Sequence, residues 1–320
     1  LSSGGSHTCA VLDDGSVSCW GDATYGQLGY GGTGDKATPR LTSSLGTGRT
    51  AVEIGSGGVH TCAILDNGAV SCWGMGTYGQ LGNGGTNDKS NPTMTSSLGA
   101  GKTAISISSG VFRTCVILDS GDVSCWGLGN RGALGNGGTA DKTTPTLTSS
   151  LGTGRIAIAI STGGVHTCAL LDNGSVSCWG RGAFGSLGNG DIGDRYTPTL
   201  TNGFGTDRTA VAISSARAHT CAILDIGSVS CWGEGSMGQI GNGAAFDVNT
   251  PTLTSSLGVG RTAIAISSGS DHTCAILDNG EVSCWGNNDF GQLGNGGTSE
   301  SNPTPTLTSS FGAGRTAVAI

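Results

Sequence analysis

Residues 7–21 read His-Thr-Cys-Ala-Val-Leu-Asp-Asp-Gly-Ser-Val-Ser-Cys-Trp-Gly, and versions of this stretch occur six times along the 320-residue chain. The first cysteine of each copy follows its predecessor by 53 residues, and the second lies ten residues further on. Such a unit is too small to bury a core alone, so the fixed period predicts a repeat domain whose units pack on their neighbours. The repeats account for all twelve cysteines as six pairs: Cys9 and Cys19, Cys62 and Cys72, Cys115 and Cys125, Cys168 and Cys178, Cys221 and Cys231, Cys274 and Cys284.

Each copy contains two short apolar runs on either side of an Asp-x-Gly turn. In the first copy these runs are His7–Leu12 and Ser16–Trp20, a pattern typical of a β-hairpin. A three-residue loop that ends in glycine fits a type I turn with a G1 bulge, in which Gly15 is left-handed. Gly-Gln-Leu-Gly follows at 26–29, with its leucine expected in the core. A proline-containing run and a run of small and β-branched residues ending at Ile54 complete the copy.

Four short strands in about 53 residues is the size of a propeller blade, and no helical periodicity of useful length is present. We therefore predict an all-β protein, a β-propeller of six four-stranded blades without substantial helix, in which the six tryptophans pack the blades. Because the first and last residues are in phase with each other, a segment of a longer propeller or repeat array is the alternative. The predicted organisation is one domain, 1–320, with repeats at 1–53, 54–106, 107–159, 160–212, 213–265 and 266–320.

The motifs His-Thr-Cys-Ala, Asp-x-Gly-x-Val, Cys-Trp-Gly and Gly-Gln-Leu-Gly recur in the same order, and together they resemble the regulator of chromosome condensation repeat family. The match covers all six units, and so essentially the whole chain. It is particularly similar to the cysteine-containing form found in bacterial and archaeal surface or secreted proteins. The resemblance implies a β-propeller of four-stranded blades. The best-known members have seven blades, whereas this chain shows six repeats.

The register of the hairpin brings the two cysteines of each copy face to face. If Leu12 and Ser16 form the hydrogen-bonded closing pair, Cys9 and Cys19 form a non-hydrogen-bonded pair, in which side chains approach most closely. That separation suits a disulfide, and six disulfides indicate an oxidising compartment. Two alternatives stay open. One is zinc bound by the two cysteines and the preceding histidine, although the third copy has Arg113 at the histidine position; the other is free buried thiols in a cytosolic protein.

The composition disfavours several classes of function. Charged residues make up 12% of the chain and the formal net charge is −7, whereas binding to nucleic acid calls for a basic face. We therefore expect no nucleic acid partner. No apolar run reaches the length of a membrane-spanning helix, so no membrane span is expected.

Two motifs resemble ligand sites but fit turns better. Ser97–Thr103 ends like a phosphate-binding loop, but Ser96 stands where that motif needs its first glycine, and a strand rather than a helix is predicted to follow. Each hairpin aspartate, such as Asp13, stands alone in a turn, whereas calcium takes six or more oxygen ligands. No catalytic triad or carboxylate pair departs from the repeat. We expect neither an enzyme nor a bound cofactor or metal.

The function predicted from these patterns is a non-enzymatic, extracellular or cell-surface module with a structural or adhesive role, used as the building block of a surface protein or filament. The alternative is a secreted, inhibitor-like protein that presents variable loops to a protein partner. Guanine-nucleotide exchange or a chromatin role is least favoured, because the chain is acidic and rich in cysteine. Asn173 begins the one glycosylation sequon with a permitted middle residue. Partner contact or self-association is expected through loops or terminal strands. The candidate loop residues are those that break the repeat: Val111, Phe112, Arg113, Ile192, Tyr196, Arg217, Phe246, Val248 and Asp271.

Overall fold

Six four-stranded antiparallel sheets contain all the strands of the protein. The computed structural model describes Leu1–Ile320, and within each sheet the strands lie side by side in chain order. Two three-residue 3₁₀ turns, Asn130–Gly132 and Ala183–Gly185, are the helical segments, so the predicted all-β fold class is confirmed.

Sheet 1 holds β1 Ser2–Ser3, β2 His7–Val11, β3 Val17–Gly21 and β4 Lys36–Leu41; sheet 2 holds β5 Ala51–Ser56, β6 His60–Leu65, β7 Val70–Gly74 and β8 Lys89–Met94; sheet 3 holds β9 Ala104–Ser109, β10 Arg113–Leu118, β11 Val123–Gly127 and β12 Lys142–Leu147. Sheet 4 holds β13 Ala157–Thr162, β14 His166–Leu171, β15 Val176–Gly180 and β16 Arg195–Leu200; sheet 5 holds β17 Ala210–Ser215, β18 His219–Leu224, β19 Val229–Gly233 and β20 Val248–Leu253; sheet 6 holds β21 Ala263–Ser268, β22 His272–Leu277, β23 Val282–Gly286 and β24 Asn302–Leu307.

Contacts divide the chain into two compact units. The first comprises 1–162 with 196–198, and the second comprises 163–195 with 199–320. Inside the first unit the innermost strands of successive sheets contact each other, as β5 does with β9. The same contact joins β17 to β21 inside the second unit. The single-domain description and the repeat boundaries stay predictions.

The two middle strands of each sheet form its core. All six residues of β6 and all five of β7 are buried, whereas β8 has no buried residue. This fourth strand pairs on one side only, and its proline at position 92 removes one backbone donor from the free edge. Proline occupies the same place in every sheet, so the outer edges resist pairing with further strands.

In sheets 1, 2, 4 and 5 the Gly-Gln-Leu-Gly segment or its equivalent covers the tryptophan of the next sheet. Leu28 is fully buried, as predicted. The carbonyl of Gln27 accepts a 2.9 Å hydrogen bond from Nε1 of Trp73, which is also fully buried. Gly29 has φ +70°, and a Cβ there would lie 2.7 Å from the same indole nitrogen. Glycine is therefore required for both the turn and the close approach, and five of the six tryptophans are fully buried: Trp73, Trp126, Trp179, Trp232 and Trp285.

The presence of the glutamine in this segment correlates with the backbone conformation of the turn before it. In sheet 1 its Oε1 accepts the backbone N–H of Tyr25 at 2.9 Å. Ala133 and Ser186 replace the glutamine in sheets 3 and 4 and cannot supply that acceptor. In those two sheets the residue two positions earlier, Arg131 or Phe184, adopts a positive φ of 56° or 63°. Loss of the amide acceptor thus coincides with a left-handed backbone conformation that residues other than glycine rarely adopt.

Candidate functional site

Each hairpin is closed by a disulfide between cysteines that face each other across the two middle strands. Cys9 pairs with Cys19 in the register of β2 and β3, and their Cα atoms are 4.1 Å apart. The N–H of Leu12 donates to the carbonyl of Ser16 at 2.8 Å, which is the predicted closing pair. The bonds in the other sheets are Cys62–Cys72, Cys115–Cys125, Cys168–Cys178, Cys221–Cys231 and Cys274–Cys284.

At the six cysteine pairs the structure has disulfides rather than zinc ligands or free thiols. All twelve cysteines are joined in pairs and none is free. A zinc ligand would have to be a thiolate, and a sulfur bonded to another sulfur is not one. The hairpin is a structural staple.

The turn of each hairpin is built as the sequence predicts. Gly15 has φ +76°, the left-handed conformation of a G1 bulge. Its carbonyl accepts the N–H of Ala51 at 2.8 Å, and the carbonyl of Thr50 accepts the N–H of Asp66 at 2.9 Å. The segment that enters sheet 2 therefore ties the hairpin turn of sheet 1 to that of sheet 2.

Four of the five histidines at the start of the second strands form a buried hydrogen bond to the next sheet. Nε2 of His7 lies 2.8 Å from Oγ1 of Thr61, and that hydroxyl donates to the carbonyl of Gln27 at 2.9 Å. The same carbonyl receives the indole of Trp73. The histidine is thus one end of a polar network that joins two sheets. His60 with Thr114 at 2.8 Å and His219 with Thr273 at 2.8 Å repeat this contact.

Burial keeps these imidazoles neutral. The pKa of His60 is lowered to about 3, mainly because its ring is removed from water and secondarily because of the nearby His7. Burial lowers the pKa of His7 to about 4 and that of His219 to about 3. Nδ1 of His60 is buried and has no hydrogen-bond partner. A proton on the ring would therefore carry a charge with little solvation.

Arg113 occupies the histidine position of sheet 3, and its placement corrects one of the predicted partner contacts. It is 2% exposed, and burial lowers its pKa to about 10, so it is still charged at neutral pH. It was predicted as a contact because it departs from the repeat beside a variable loop, but its position at the start of β10 places the side chain in the interior. Arg113 is therefore not available to a partner at the surface.

The other predicted loop residues lie at or near the surface. Phe112 is half-buried and its ring centroid is 5.1 Å from that of Tyr78. Val248 is half-buried and packs partly on the core of its unit. Four further side chains of this group are exposed by 38% to 69%: Val111, Ile192, Tyr196 and Phe246.

Arg217 and Asp271, also predicted as contact residues, bind each other. Nη2 of Arg217 lies 3.0 Å from a carboxylate oxygen of Asp271 and 2.8 Å from one of Glu234. The two anions raise the pKa of the arginine. These three charged side chains link the loops of sheets 5 and 6. The charge of Arg217 is therefore already paired with carboxylates of the protein itself.

In sheets 2, 3 and 6 the basic residue of the preceding segment forms an ion pair with an aspartate of the hairpin. Lys102, the last basic residue of the phosphate-loop look-alike, lies 3.2 Å from Asp122, and β9 follows as a strand. Arg49 in the same slot lies 3.2 Å from Asp66. The look-alike is a strand-linking turn, as expected from its missing glycine.

Sequence reasoning missed a row of exposed apolar residues on the innermost strands. Val52, the second residue of β5, is 62% exposed at a break in the register. Equivalent side chains are Ile105, Ile158, Val211 and Ile264, all more than half exposed. A second missed residue, Ile226, is 49% exposed in the turn of sheet 5, where other copies have a polar residue. Comparing the copies position by position would have found it.

The structure contains no helix with the length and apolarity needed to cross a membrane. Comparison with known families gives a profile match to the RCC1-like domain over residues 1–273. Two profiles of the regulator of chromosome condensation (RCC1) repeat match residues 263–292 and 279–319.

Similar proteins include an E3 ubiquitin-protein ligase and an ultraviolet-B receptor. The chain is 33% identical over 298 residues to the Homo sapiens E3 ubiquitin-protein ligase HERC2, which covers 92% of this chain and 6% of that protein. It is 32% identical over 297 residues to the Arabidopsis thaliana ultraviolet-B receptor UVR8, covering 92% of this chain and 66% of the receptor. The chain therefore spans less than two thirds of the length of both relatives.

Solved structures show the same fold at lower identity. Yeast RCC1 (Prp20), in a complex with Kap60, superposes with a TM-score of 0.83 and 20% identity, covering 97% of this chain and 74% of that one. Human WBSCR16 superposes with a TM-score of 0.84 and 20% identity, covering 97% and 81%. These matches and the six four-stranded sheets show that the chain belongs to the RCC1-like domain family and that its fold is a β-propeller of six four-stranded blades.

Proposed function

We propose that this propeller is a non-enzymatic binding module that works outside the cell or on its surface and contacts protein partners through side chains exposed at its loops and strand ends. The observation that carries the proposal is the set of six disulfides, one in each sheet. Such bonds form and persist in oxidising compartments and are rare in the cytosol. Eleven of the twelve cysteines are buried and Cys274 is partly buried, which supports a structural rather than a catalytic use for them.

The family comparison supports binding rather than chemistry. Yeast RCC1 is seen in a complex with another protein, Kap60, so a propeller of this type can present a protein-binding surface. In this chain, candidate contacts are the exposed apolar side chains of variable loops, chiefly Ile192 at 69% and Phe246 at 61%. Exposed apolar side chains on a soluble protein are candidates for interaction sites.

Self-association in a surface assembly or filament is the second candidate. It is favoured by one exposed apolar residue at the end of the outermost strand of every sheet. The edge prolines oppose strand-to-strand pairing, so such contacts would have to be made by side chains. The exposed residues are Leu41, Met94, Leu147, Leu200, Leu253 and Leu307, at 46% to 56%.

The compartment is tested by the mass of the native protein before and after reduction. We expect reduction to add one hydrogen at each of the twelve cysteines. An unchanged mass would show that the cysteines were free in the producing cell and would contradict the extracellular proposal.

Binding and assembly are separated by two further measurements. Wild-type protein and the variant I192S/F246S are immobilised and exposed to surface extract of the producing cells. A discrete protein retained by wild type and at least about tenfold less by the variant supports loop-mediated binding. Fibres of regular repeat in electron micrographs of native material, disrupted in a Leu41→Ser/Met94→Ser variant, would instead support the assembly role.

A further inference from the structure

A shallow depression between sheets 5 and 6 departs from the repeat in a way that points to a ligand. Its volume is about 500 Å³. Its exposed apolar walls are Val211 on β17, Ile226 in the hairpin turn and Ile264 on β21, at 57%, 49% and 63% exposed. The two strand residues belong to the row found in sheets 2 to 6, whereas Ile226 occurs in sheet 5 alone. Recesses beneath the strand-linking loops occur in several sheets and so belong to the general fold.

Isoleucine at position 226 removes a hydrogen bond that all the other hairpins keep. In sheet 1, Oδ1 of Asp14 accepts the N–H of Ser16 at 2.8 Å. Asn67, Asn173 and Asn279 accept the corresponding N–H at 3.1 to 3.2 Å, and Ser120 does so at 3.5 Å. An isoleucine side chain has no acceptor, so sheet 5 lacks this bond.

The same turn also contains a buried hydroxyl group without a hydrogen-bond partner. Oγ of Ser228, two residues after Ile226, is buried and has no hydrogen-bond partner. Short polar residues favour this turn position because they bond to their own backbone, and an exposed β-branched residue has no such advantage. Sheet 5 thus gives up local stability for an exposed aliphatic side chain, which is typical of a functional position.

The charge beside the depression also differs from that of the turns in sheets 2 and 6. Asp66 and Asp278, the hairpin aspartates of sheets 2 and 6, lie 3.2 and 3.4 Å from an arginine. Asp225 lines the depression, is exposed and makes no such ion pair. The arginine of its own linking segment, Arg208, is not among the lining residues. The apolar wall therefore has an uncompensated carboxylate at its rim, on a protein of net charge −7.

We propose that this depression binds a segment of a partner protein that inserts one aliphatic side chain between Val211, Ile226 and Ile264 and places a neighbouring lysine or arginine on Asp225. The apolar walls supply the affinity for the aliphatic group. The free carboxylate selects a cationic neighbour and disfavours an acidic one. This inference rests on the proposed function, since it names one contact of a protein-binding module and the chemistry of its partner.

The test uses three labelled peptides and the full 320-residue chain. One peptide alternates leucine with lysine, one leucine with glutamate and one serine with lysine. Fluorescence polarisation is expected to show the leucine–lysine peptide binding at least about tenfold more tightly than either of the others. Equal binding of the two lysine peptides, or no binding of any peptide, overturns the inference.

Variants then locate the site. Ile226→Asn installs the residue that three other turns carry and restores the missing acceptor, so we expect a thermal midpoint equal to or above wild type together with at least about tenfold weaker binding. Asp225→Asn should remove the preference for lysine over glutamate. Asn279→Ala, which weakens the neighbouring turn without touching the depression, is the matched control and should leave binding unchanged. Unaltered binding by Ile226→Asn overturns the proposal.

The outcome is distinguishable from a failure of the proposed function. If the six disulfides are present in native material and the peptides do not bind, the depression is not a peptide site but the extracellular module stands. If vesicles of anionic phospholipid bind and the peptides do not, the occupant is a membrane surface and the protein-segment inference is overturned.

Discussion

Acidification between pH 7 and pH 5 should weaken this propeller through its buried histidines. His7, His60 and His219 have pKa values of about 4, 3 and 3 in the folded chain, whereas an unfolded histidine titrates near 6.5. The unfolded state therefore binds protons more readily. The stabilisation is complete above about pH 6.5 and is lost as the pH falls from there towards the folded values.

The size of the effect follows from those shifts. At pH 5 each of the three histidines should cost about 2 kcal/mol of unfolding free energy relative to pH 7, or about 6 kcal/mol together. That is comparable with the whole stability of many domains. Ordinary aspartates and glutamates titrate below this interval. Burial raises the pKa of Glu53 and of Glu234, and these two groups act in the opposite direction because the folded state then binds their protons more readily than the unfolded state.

The measurement is urea unfolding followed by tryptophan fluorescence at pH 7, 6 and 5. His60→Gln should reduce the difference in stability between pH 7 and pH 5 by about one third, whatever it does to stability at pH 7. Arg113→His, which gives sheet 3 the usual residue, should enlarge it. A wild-type stability that is flat from pH 7 to 5, or a His60→Gln variant with the full pH dependence, would refute the reasoning.

Three further predictions concern local contacts. Replacing Cys62 and Cys72 together by alanine should lower the free energy of unfolding by at most about 3 kcal/mol in the loop-entropy model, measured by urea titration; a larger loss would mean that the bond does more than close its short loop. Gly82→Ala places a Cβ 2.7 Å from Nε1 of Trp126 at a φ of +66°, so we expect a loss of about 1–3 kcal/mol and a changed indole emission, and an unaltered spectrum would speak against the close contact. Ala133→Gln restores the amide acceptor and should raise stability by about 1 kcal/mol by relieving the left-handed residue two positions earlier; a lower melting temperature would contradict this.

The sequence was most informative where partners are close along the chain. The hairpin register could be predicted because Cys9 and Cys19 are ten residues apart and one turn fixes which side chains meet. The left-handed Gly15 and the buried Leu28 followed from turn chemistry in the same way. Because the sequence repeats, each prediction made for one hairpin could be extended to the other five sheets.

Contacts between sheets were not predictable at this level. His7 meets Thr61 across 54 residues, and no local rule selects that partner. Arg113 was predicted as a partner contact because it departs from the repeat beside a variable loop, yet its side chain is buried like most of the histidines at the same position. Ile226, by contrast, was overlooked. An isoleucine draws little notice in a sequence, and its meaning appears only beside the acceptors that the other turns retain.

The cross-strand disulfides also determine how the protein responds to pulling. Each bond bypasses the chain between two cysteines ten residues apart, which withholds about 30 Å of extension from an applied force. Under tension the outer strands and loops would lengthen first, while the middle pair of every sheet stayed closed. The six bonds therefore limit the maximum length of the stretched chain, and this length increases only when a reductant breaks them.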